Sequence, residues 1–391
     1  MPKAILVTTS DNFFLSHRLS LALALKRAGF EVAVAAESTG TVTLIESHGL
    51  RFIELPLDRR SMAPWREARV IAAIAAMYRR ERPDLVHHSS IKPMIYGSSV
   101  ARVLGLPAFV NTVSGLGYAL TDRPQDGIAN RALRLAAKAG YRIALRGHGC
   151  WNIFQNPDQL KRFVELGLAD PNRSEVIRGA GVDINRFVPA PLPDGDPVVL
   201  LPARMLWDKG IGEFVEASRM LHRRRVKARF VLCGKVDPGS RAEIPLQTLQ
   251  DWVREGVVEW WGHQENMPEV LSRAHLVVLP SYAEGLPLAL AEAASAGRAT
   301  ITTDIPGCRE VVISGQTGWL VPPFDAASLA EAIEQALSDR ARLAAMGLKG
   351  REHAVAMLSQ DRVLAETFRV FRKLGVPVPD RDSLLGVSQR T

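Results

Sequence analysis

Cysteine is scarce: Cys150, Cys233 and Cys308 are the only three in 391 residues. They lie too far apart for a disulfide framework, a paired metal-ligand spacing or a redox motif, so the chain reads as reduced and cytosolic. A long apolar run is also missing. Nothing approaches the ~18 residues of a membrane-spanning helix, and residues 70–77 are a buried-helix fragment at most. Lys3 followed by the apolar residues 4–7 is too short for a signal peptide and reads as a first strand. Aromatic residues are 6% of the chain and do not alternate with basic residues in a recognised motif. That argues against nucleic-acid binding despite a net charge of +8.

What is present is length, charge asymmetry and a repeating pattern. A 391-residue chain that is 47% hydrophobic is long enough for two soluble domains. Residues 1–190 hold 25 Lys/Arg against 16 Asp/Glu, whereas the remainder holds 24 against 25, so all of the positive excess sits in the first half. An imbalance of that kind points to an anionic partner: a membrane surface, a phosphorylated substrate or a nucleic acid. Arg131, Arg134, Lys138, Arg142 and Arg146 recur every three or four residues and share one helical face, with Leu133, Ala137, Tyr141 and Ala144 opposite. Such a helix can lie on anionic headgroups. Arg59, Arg60, Arg66, Arg69, Arg79, Arg80 and Arg82, with Met62 and Trp65 as apolar anchors, could extend that surface. Each basic segment alone reads better as a solvated face; taken together they favour membrane association.

Short apolar runs at residues 4–7, 31–36, 52–55, 85–86 and 108–110 alternate with helical stretches. The pattern restarts at 198–201, 230–233, 257–261, 276–279, 299–302 and 319–321. Buried strands separated by helices predict parallel sheets covered on both faces. The fold class is therefore α/β, with two doubly wound, Rossmann-like domains. The expected boundaries are 1–185 for a first, membrane-facing domain, 186–197 for a proline-rich linker and 198–358 for a second domain. A C-terminal segment, 359–391, is expected to return as a helix to brace the first domain.

The most informative stretch is Pro280-Ser-Tyr-Ala-Glu-Gly-Leu-Pro-Leu-Ala-Leu-Ala-Glu292. An apolar strand, a glycine turn and a fresh helix make an anion site, because unpaired backbone N–H groups point outward there. Glu284 and Glu292 beside such a site suit the hydroxyls of a sugar attached to a phosphate. Arg204, Lys209 and Gly210 follow the first strand of the second half. Two cations there can clamp a pyrophosphate and neutralise a departing nucleoside diphosphate. Alone they read equally well as a surface turn; with 280–292 the clamp is favoured.

These motifs resemble the family-4 retaining glycosyltransferases of the GT-B fold. The family's Glu-x7-Glu pattern is matched by Glu284 and Glu292, and its Arg…Lys-Gly clamp by Arg204, Lys209 and Gly210. Pro83-Asp-Leu-Val-His87 with Lys92, Gly181-Val-Asp183 before Phe187, and Gly318-Trp-Leu-Val-Pro-Pro323 fit further family positions. Within the family, Ala203-Arg-Met-Leu-Trp-Asp-Lys-Gly210 and Val113-Ser-Gly-Leu-Gly-Tyr118 are most similar to capsular and O-antigen enzymes, including N-acetylgalactosaminyltransferases acting on undecaprenyl-diphosphate sugars.

The resemblance implies that Glu284 meets the donor sugar, Glu292 the ribose, and Arg204 and Lys209 the diphosphate, with the amides of Gly285 and Leu286 assisting. Gly262, His263 and Met267 lie where the family places the base. Gly115 and Gly117 would form a first-domain loop facing the diphosphate or acceptor. Two positions depart: Ser114 stands for a common histidine and Ala180 for a common asparagine. His17, His88 and Lys92 are left as first-domain candidates. The pair His87-His88 suits no metal, since neighbours on a strand point to opposite faces.

The implied enzyme is a metal-independent, retaining hexosyltransferase without a cofactor. It takes a nucleotide sugar, expected to be a UDP-sugar, and a lipid-linked saccharide acceptor, and it sits peripherally on the inner face of the cytoplasmic membrane. The alternatives are a nucleotide-sugar 2-epimerase of the same fold and a non-catalytic scaffold for glycan assembly.

Overall fold

The computed structural model describes residues 1–58, 61, 63–114, 128–240 and 242–380, without the side chains of 128–133. The chain divides into two compact units. Unit 1 holds 1–180 and 361–391, and unit 2 holds 181–360.

Unit 1 carries a seven-stranded sheet built from β1 (Lys3–Ser10), β2 (Glu31–Glu37), β3 (Arg51–Glu54), β4 (Leu85–Ser89), β5 (Phe109–Val113), β6 (Cys150–Phe154) and β7 (Ser174–Val176). The order is β3-β2-β1-β4-β5-β6-β7, and every described pairing is parallel. Helices supply the crossovers that parallel neighbours require. The first helical run ends at Arg27, where Gly29 takes φ 86°. Its N–H bonds to the Lys26 carbonyl at 3.0 Å and that of Phe30 to Leu25 at 3.1 Å. This is a Schellman stop, which the glycine makes possible.

Alternation along β1 sends Ile5 and Val7 to one face and Ala4 and Leu6 to the other, so unit 1 has a core on each side of its sheet. One core includes Ile74, Tyr78 and Phe109. The other takes in Leu25, Leu85 and Val110 together with Val363, Phe368 and Phe371 from the helix Gln360–Lys373. Phe368 and Phe371 are fully buried, each stabilising the unit by about 1.5–3 kcal/mol.

Unit 2 carries β8 (Val198–Pro202), β9 (Arg229–Cys233), β10 (Glu259–Trp260), β11 (Leu276–Leu279), β12 (Ala299–Thr303) and β13 (Gly318–Val321). They are parallel in the order β10-β9-β8-β11-β12-β13. The proline-rich stretch 186–197 belongs wholly to unit 2 rather than standing as a linker. The buried Arg298 binds the Ala190 and Pro191 carbonyls at 2.8 and 3.2 Å, and Arg340 binds those of Leu192 and Pro193 at 3.1 and 2.7 Å. Arginine forks replace the hydrogen bonds that a proline-rich segment cannot make with itself. Among the described residues no helix is long and apolar enough to cross a membrane.

Candidate functional site

In unit 2 the parallel strands end on one side, and the loops that follow β8 and β11 meet there. The loop after β8 passes through a short turn, Trp207–Lys209, into the helix Ile211–Arg223. Gly210 takes φ 70°, and a side chain on it would collide with the Pro280 carbonyl. The Tyr282 N–H donates to the Asp208 carbonyl at 3.0 Å. The Tyr282 hydroxyl donates to Glu213 at 2.7–2.8 Å from the two carboxylate oxygens. Glycine at 210 thus lets two loops that lie far apart in the chain close on each other.

That closure brings Lys209 and Glu284 together. The ammonium donates to Glu284 Oε1 at 2.6 Å, with side-chain exposures of 20% and 13%. Beneath them the helix Pro306–Arg309 places Gly307 against the backbone of the glutamate loop. A Cβ there would lie 2.5 Å from the carbonyl oxygens of both Glu284 and Gly285. The buried Cys308 follows, and its thiol is pushed up to about 12 by burial and by the Glu284 charge. Gly285 and Leu286 lead into the helix Leu288–Ser295, whose N-cap, Pro287, provides no side-chain cap. Its first turn therefore presents a positive dipole end beside the Lys209–Glu284 pair.

Glu292 lies eight residues beyond Glu284, on that helix. It is partly buried, and burial pushes its carboxyl up to about 7 against the opposing pull of Arg186. Arg204, at the carboxyl end of β8, forms an ion pair with Asp237 in the loop after β9. Its side chain remains 45% exposed. Gly262 takes φ 65° and its carbonyl accepts from the Gly234 N–H at 2.8 Å. His263 is exposed, and Met267 opens the helix Met267–Ser272 with its side chain packed on the core. The arrangement offers cations, a helix start and carboxylates at one sheet end, which is the place where ligands bind to such sheets.

Residues 3–146 match the family described as glycosyl transferase 4-like, and residues 184–353 match glycosyl transferases group 1. The chain is 27% identical over 347 residues to an N,N'-diacetylbacillosaminyl-diphospho-undecaprenol α-1,3-N-acetylgalactosaminyltransferase of Campylobacter jejuni, covering 83% of this chain and 89% of that one. It is 26% identical over 326 residues to a UDP-Gal:α-D-GlcNAc-diphosphoundecaprenol α-1,3-galactosyltransferase of Escherichia coli, covering 80% and 81%. The sucrose-phosphate synthase of Thermosynechococcus elongatus has the same fold, with a TM-score of 0.77 at 22% identity over 96% of this chain and 99% of that one.

The chain is a glycosyltransferase of this family.

The fold of the glycosyltransferase is GT-B, two Rossmann-like α/β units. Several first-domain candidates have other work. His88 is buried, with Nε2 2.7 Å from the Tyr78 hydroxyl and Nδ1 3.0 Å from Asn111 Oδ1. Both ring nitrogens are used, and Gly97 packs against the ring, so His88 is a core histidine and not an acceptor-assisting group. Lys92 is likewise corrected. Its three donors go to the Asp58 carbonyl at 2.8 Å, the Ser61 carbonyl at 2.5 Å and Glu67 at 2.6 Å, leaving none for a ligand. His87 and His88 do face opposite sides, toward Phe371 and Phe109 respectively.

His17 ends the helix Asp11–His17, is half-buried, and stacks on Phe13 at 4.5 Å. Ser114 is half-buried just past β5. Gly115 and Gly117 lie outside the described residues, as does the Arg131 side chain. The basic helix runs Ile128–Leu145, so Arg146 falls one residue past its end. Tyr141 and Ala144 are buried as its inner side, and Arg142 and Arg146 are exposed, while Arg134 and Lys138 are only partly so. Leu135 and Ile143 are exposed beside them, which periodicity alone does not indicate.

Sequence reasoning missed Asp237, Glu213 and Gly307. The signal for Asp237 is a carboxylate after a strand end. Gly307 has one too, a Pro-Gly pair opening a helix after β12. Glu213 carries no signal short of its contact with Tyr282.

Proposed function

We propose that this glycosyltransferase moves a hexose or N-acetylhexosamine from a UDP-sugar to a sugar carried on undecaprenyl diphosphate, in the assembly of a surface polysaccharide or related glycan. The observation that carries the reading is the Lys209–Glu284 contact at 2.6 Å beside the start of the helix Leu288–Ser295. A cation and a helix dipole suit a diphosphate, and a carboxylate next to them suits a sugar hydroxyl. The two relatives named above act on diphospho-undecaprenol sugars, and one name specifies UDP-Gal.

In the proposed mechanism the glycosidic bond to the diphosphate breaks toward an oxocarbenium-like state. Lys209, Arg204 and the helix N-terminus stabilise the charge that develops on the departing diphosphate. Glu284 orients the donor sugar, and Glu292 accepts from the ribose hydroxyls. The acceptor hydroxyl attacks from the face that the diphosphate leaves, so the anomeric configuration is retained, and the protein cations make a metal unnecessary. Exposed Leu135, Ile143, Arg142 and Arg146 suit a peripheral position on an anionic, cytoplasmic membrane face, where a lipid-linked acceptor is available.

The test is nucleoside diphosphate release from a panel of nucleotide sugars with and without an undecaprenyl-diphosphate-linked acetamido sugar. The expected result is acceptor-dependent release with one donor, unaffected by a chelator and lost roughly a hundredfold or more in Glu284→Ala. Product NMR should show the donor's own anomeric configuration. Release without acceptor, or full activity in the variant, overturns the reading.

A further inference from the structure

Unit 1 encloses a small cavity whose lining includes His17, Arg18, Ser20, His87, Thr112 and Ala180. It has room for about one water-sized group, ≈ 10 Å³ of centre space. Among the described residues no carboxylate lines it. Arg18, only 5% exposed, is among the lining residues. Its Nε donates to Ser89 Oγ at 2.7 Å and one terminal nitrogen to the His17 carbonyl at 3.1 Å. These are neutral acceptors, and among the described residues it forms no ion pair. Burial alone lowers its pKa to about 10.

Three further observations concern the same space. His87 is 2% exposed, and its Nδ1 has no partner among the described residues. Its Nε2 is 2.9 Å from Thr112 Oγ1, so with the hydroxyl donating, the ring proton stands on the unpartnered Nδ1. The helix Leu19–Arg27 begins at Arg18 with no side-chain cap, and Ser20 in its first turn reaches the cavity. Ala180 contributes only a methyl group to the lining.

We propose that this cavity is an anion subsite that takes one oxygen of a phosphoryl group, with Arg18 as its counter-charge and His87 Nδ1 as a second donor. A buried guanidinium without an acid costs stability unless something completes it. An oxyanion oxygen of the size the cavity holds completes the arginine, the imidazole and the helix start together. Two sources share this chemistry: free phosphate, and the diphosphate of the lipid-linked acceptor, the latter resting on the function proposed above.

The test compares wild type, Arg18→Met and Arg18→Lys by thermal unfolding in potassium phosphate and in potassium chloride of equal ionic strength. Excess UDP is included to occupy the phosphate site of unit 2. Phosphate should raise the wild-type melting temperature and leave Arg18→Met unmoved, while Arg18→Lys binds phosphate roughly tenfold more weakly. In chloride, Arg18→Met should melt no lower than wild type, since an unpaired buried charge has been removed. An equal phosphate response in wild type and Arg18→Met, or none in wild type, overturns the proposal. If Arg18→Met fails to fold, equal affinity in Arg18→Lys overturns it. In a kinetic arm, phosphate that raises the acceptor KM of wild type but not of Arg18→Lys assigns the site to the acceptor's phosphoryl group. Phosphate binding with KM unchanged assigns it to the free ion. The unfolding arm needs no acceptor, so its failure is separate from failure of the proposed activity.

Discussion

Glu292 shows how one side chain couples burial to pH. Its carboxyl is raised to about 7, so the folded unit favours the protonated form. The stabilisation is fully present below the ordinary glutamate value and is lost as pH rises through about 7. A ribose hydroxyl donates best to the ionised carboxylate. Nucleoside diphosphate affinity should therefore rise several-fold as pH increases from about 6 to about 8, with proton release on binding. Calorimetry in buffers of different ionisation enthalpy measures both, and Glu292→Gln should flatten the dependence. At this scale the turn and helix start that carry Glu284 and Glu292 were open to sequence reasoning, because a glycine turn at a strand end constrains what its neighbours can do. His88 and Lys92 misled because polarity in a sequence does not say whether a partner is waiting. Tyr78, Asn111, Glu67 and two carbonyls were waiting. Arg18 went unnoticed since nothing in its neighbours marks it as buried.

Elements were legible where apolar runs were unbroken. The runs at 4–7, 198–201 and 276–279 are strands in the structure. β6 and β7 were missed: the first carries Asn152 at its centre and the second has three residues. Asn152 is compatible with a buried strand because its amide donates to the Leu145 carbonyl at 2.8 Å, a contact that only the fold supplies. The run at 257–261 shortens to Glu259–Trp260 at the sheet edge. Site geometry also depends on how elements touch. Gly307 is buried against the carbonyls of Glu284 and Gly285. Gly307→Ala should fold, yet push the glutamate loop out of place. We expect kcat to fall by roughly tenfold to a hundredfold, with a loss of about 1–3 kcal/mol in stability from overpacking. Steady-state kinetics beside thermal unfolding checks it, and unchanged kcat would remove the loop-positioning role of this glycine.

In the whole molecule, unit 1 is made from two stretches of chain with unit 2 inserted between them. The helix Gln360–Lys373 supplies Val363, Phe368, Val370 and Phe371 to the unit 1 core. A chain ending at residue 360 should keep unit 2 folded and lose hydrogen-exchange protection across residues 1–180. Protection lost equally in both units would mean that they do not unfold separately. The α/β alternation made two units visible in the sequence. The boundary at 180/181 was not, because the prolines that resemble a linker are bound by Arg298 and Arg340 inside unit 2.

The ends of unit 2 are also joined to each other. The Val182 N–H donates to the Leu358 carbonyl at 2.8 Å, and the Gln360 N–H to the Val182 carbonyl at 3.0 Å. On the ribosome this reverses the usual order of completion. At about 5–20 residues per second, roughly 20–70 s separate emergence of the first strand from that of the helix that covers it. The inserted half can close while the half translated first still lacks part of its interior. Until the last turn of that helix leaves the exit tunnel, the core around Leu6, Leu25 and Val110 lacks the side chains of Phe368 and Phe371 that complete it.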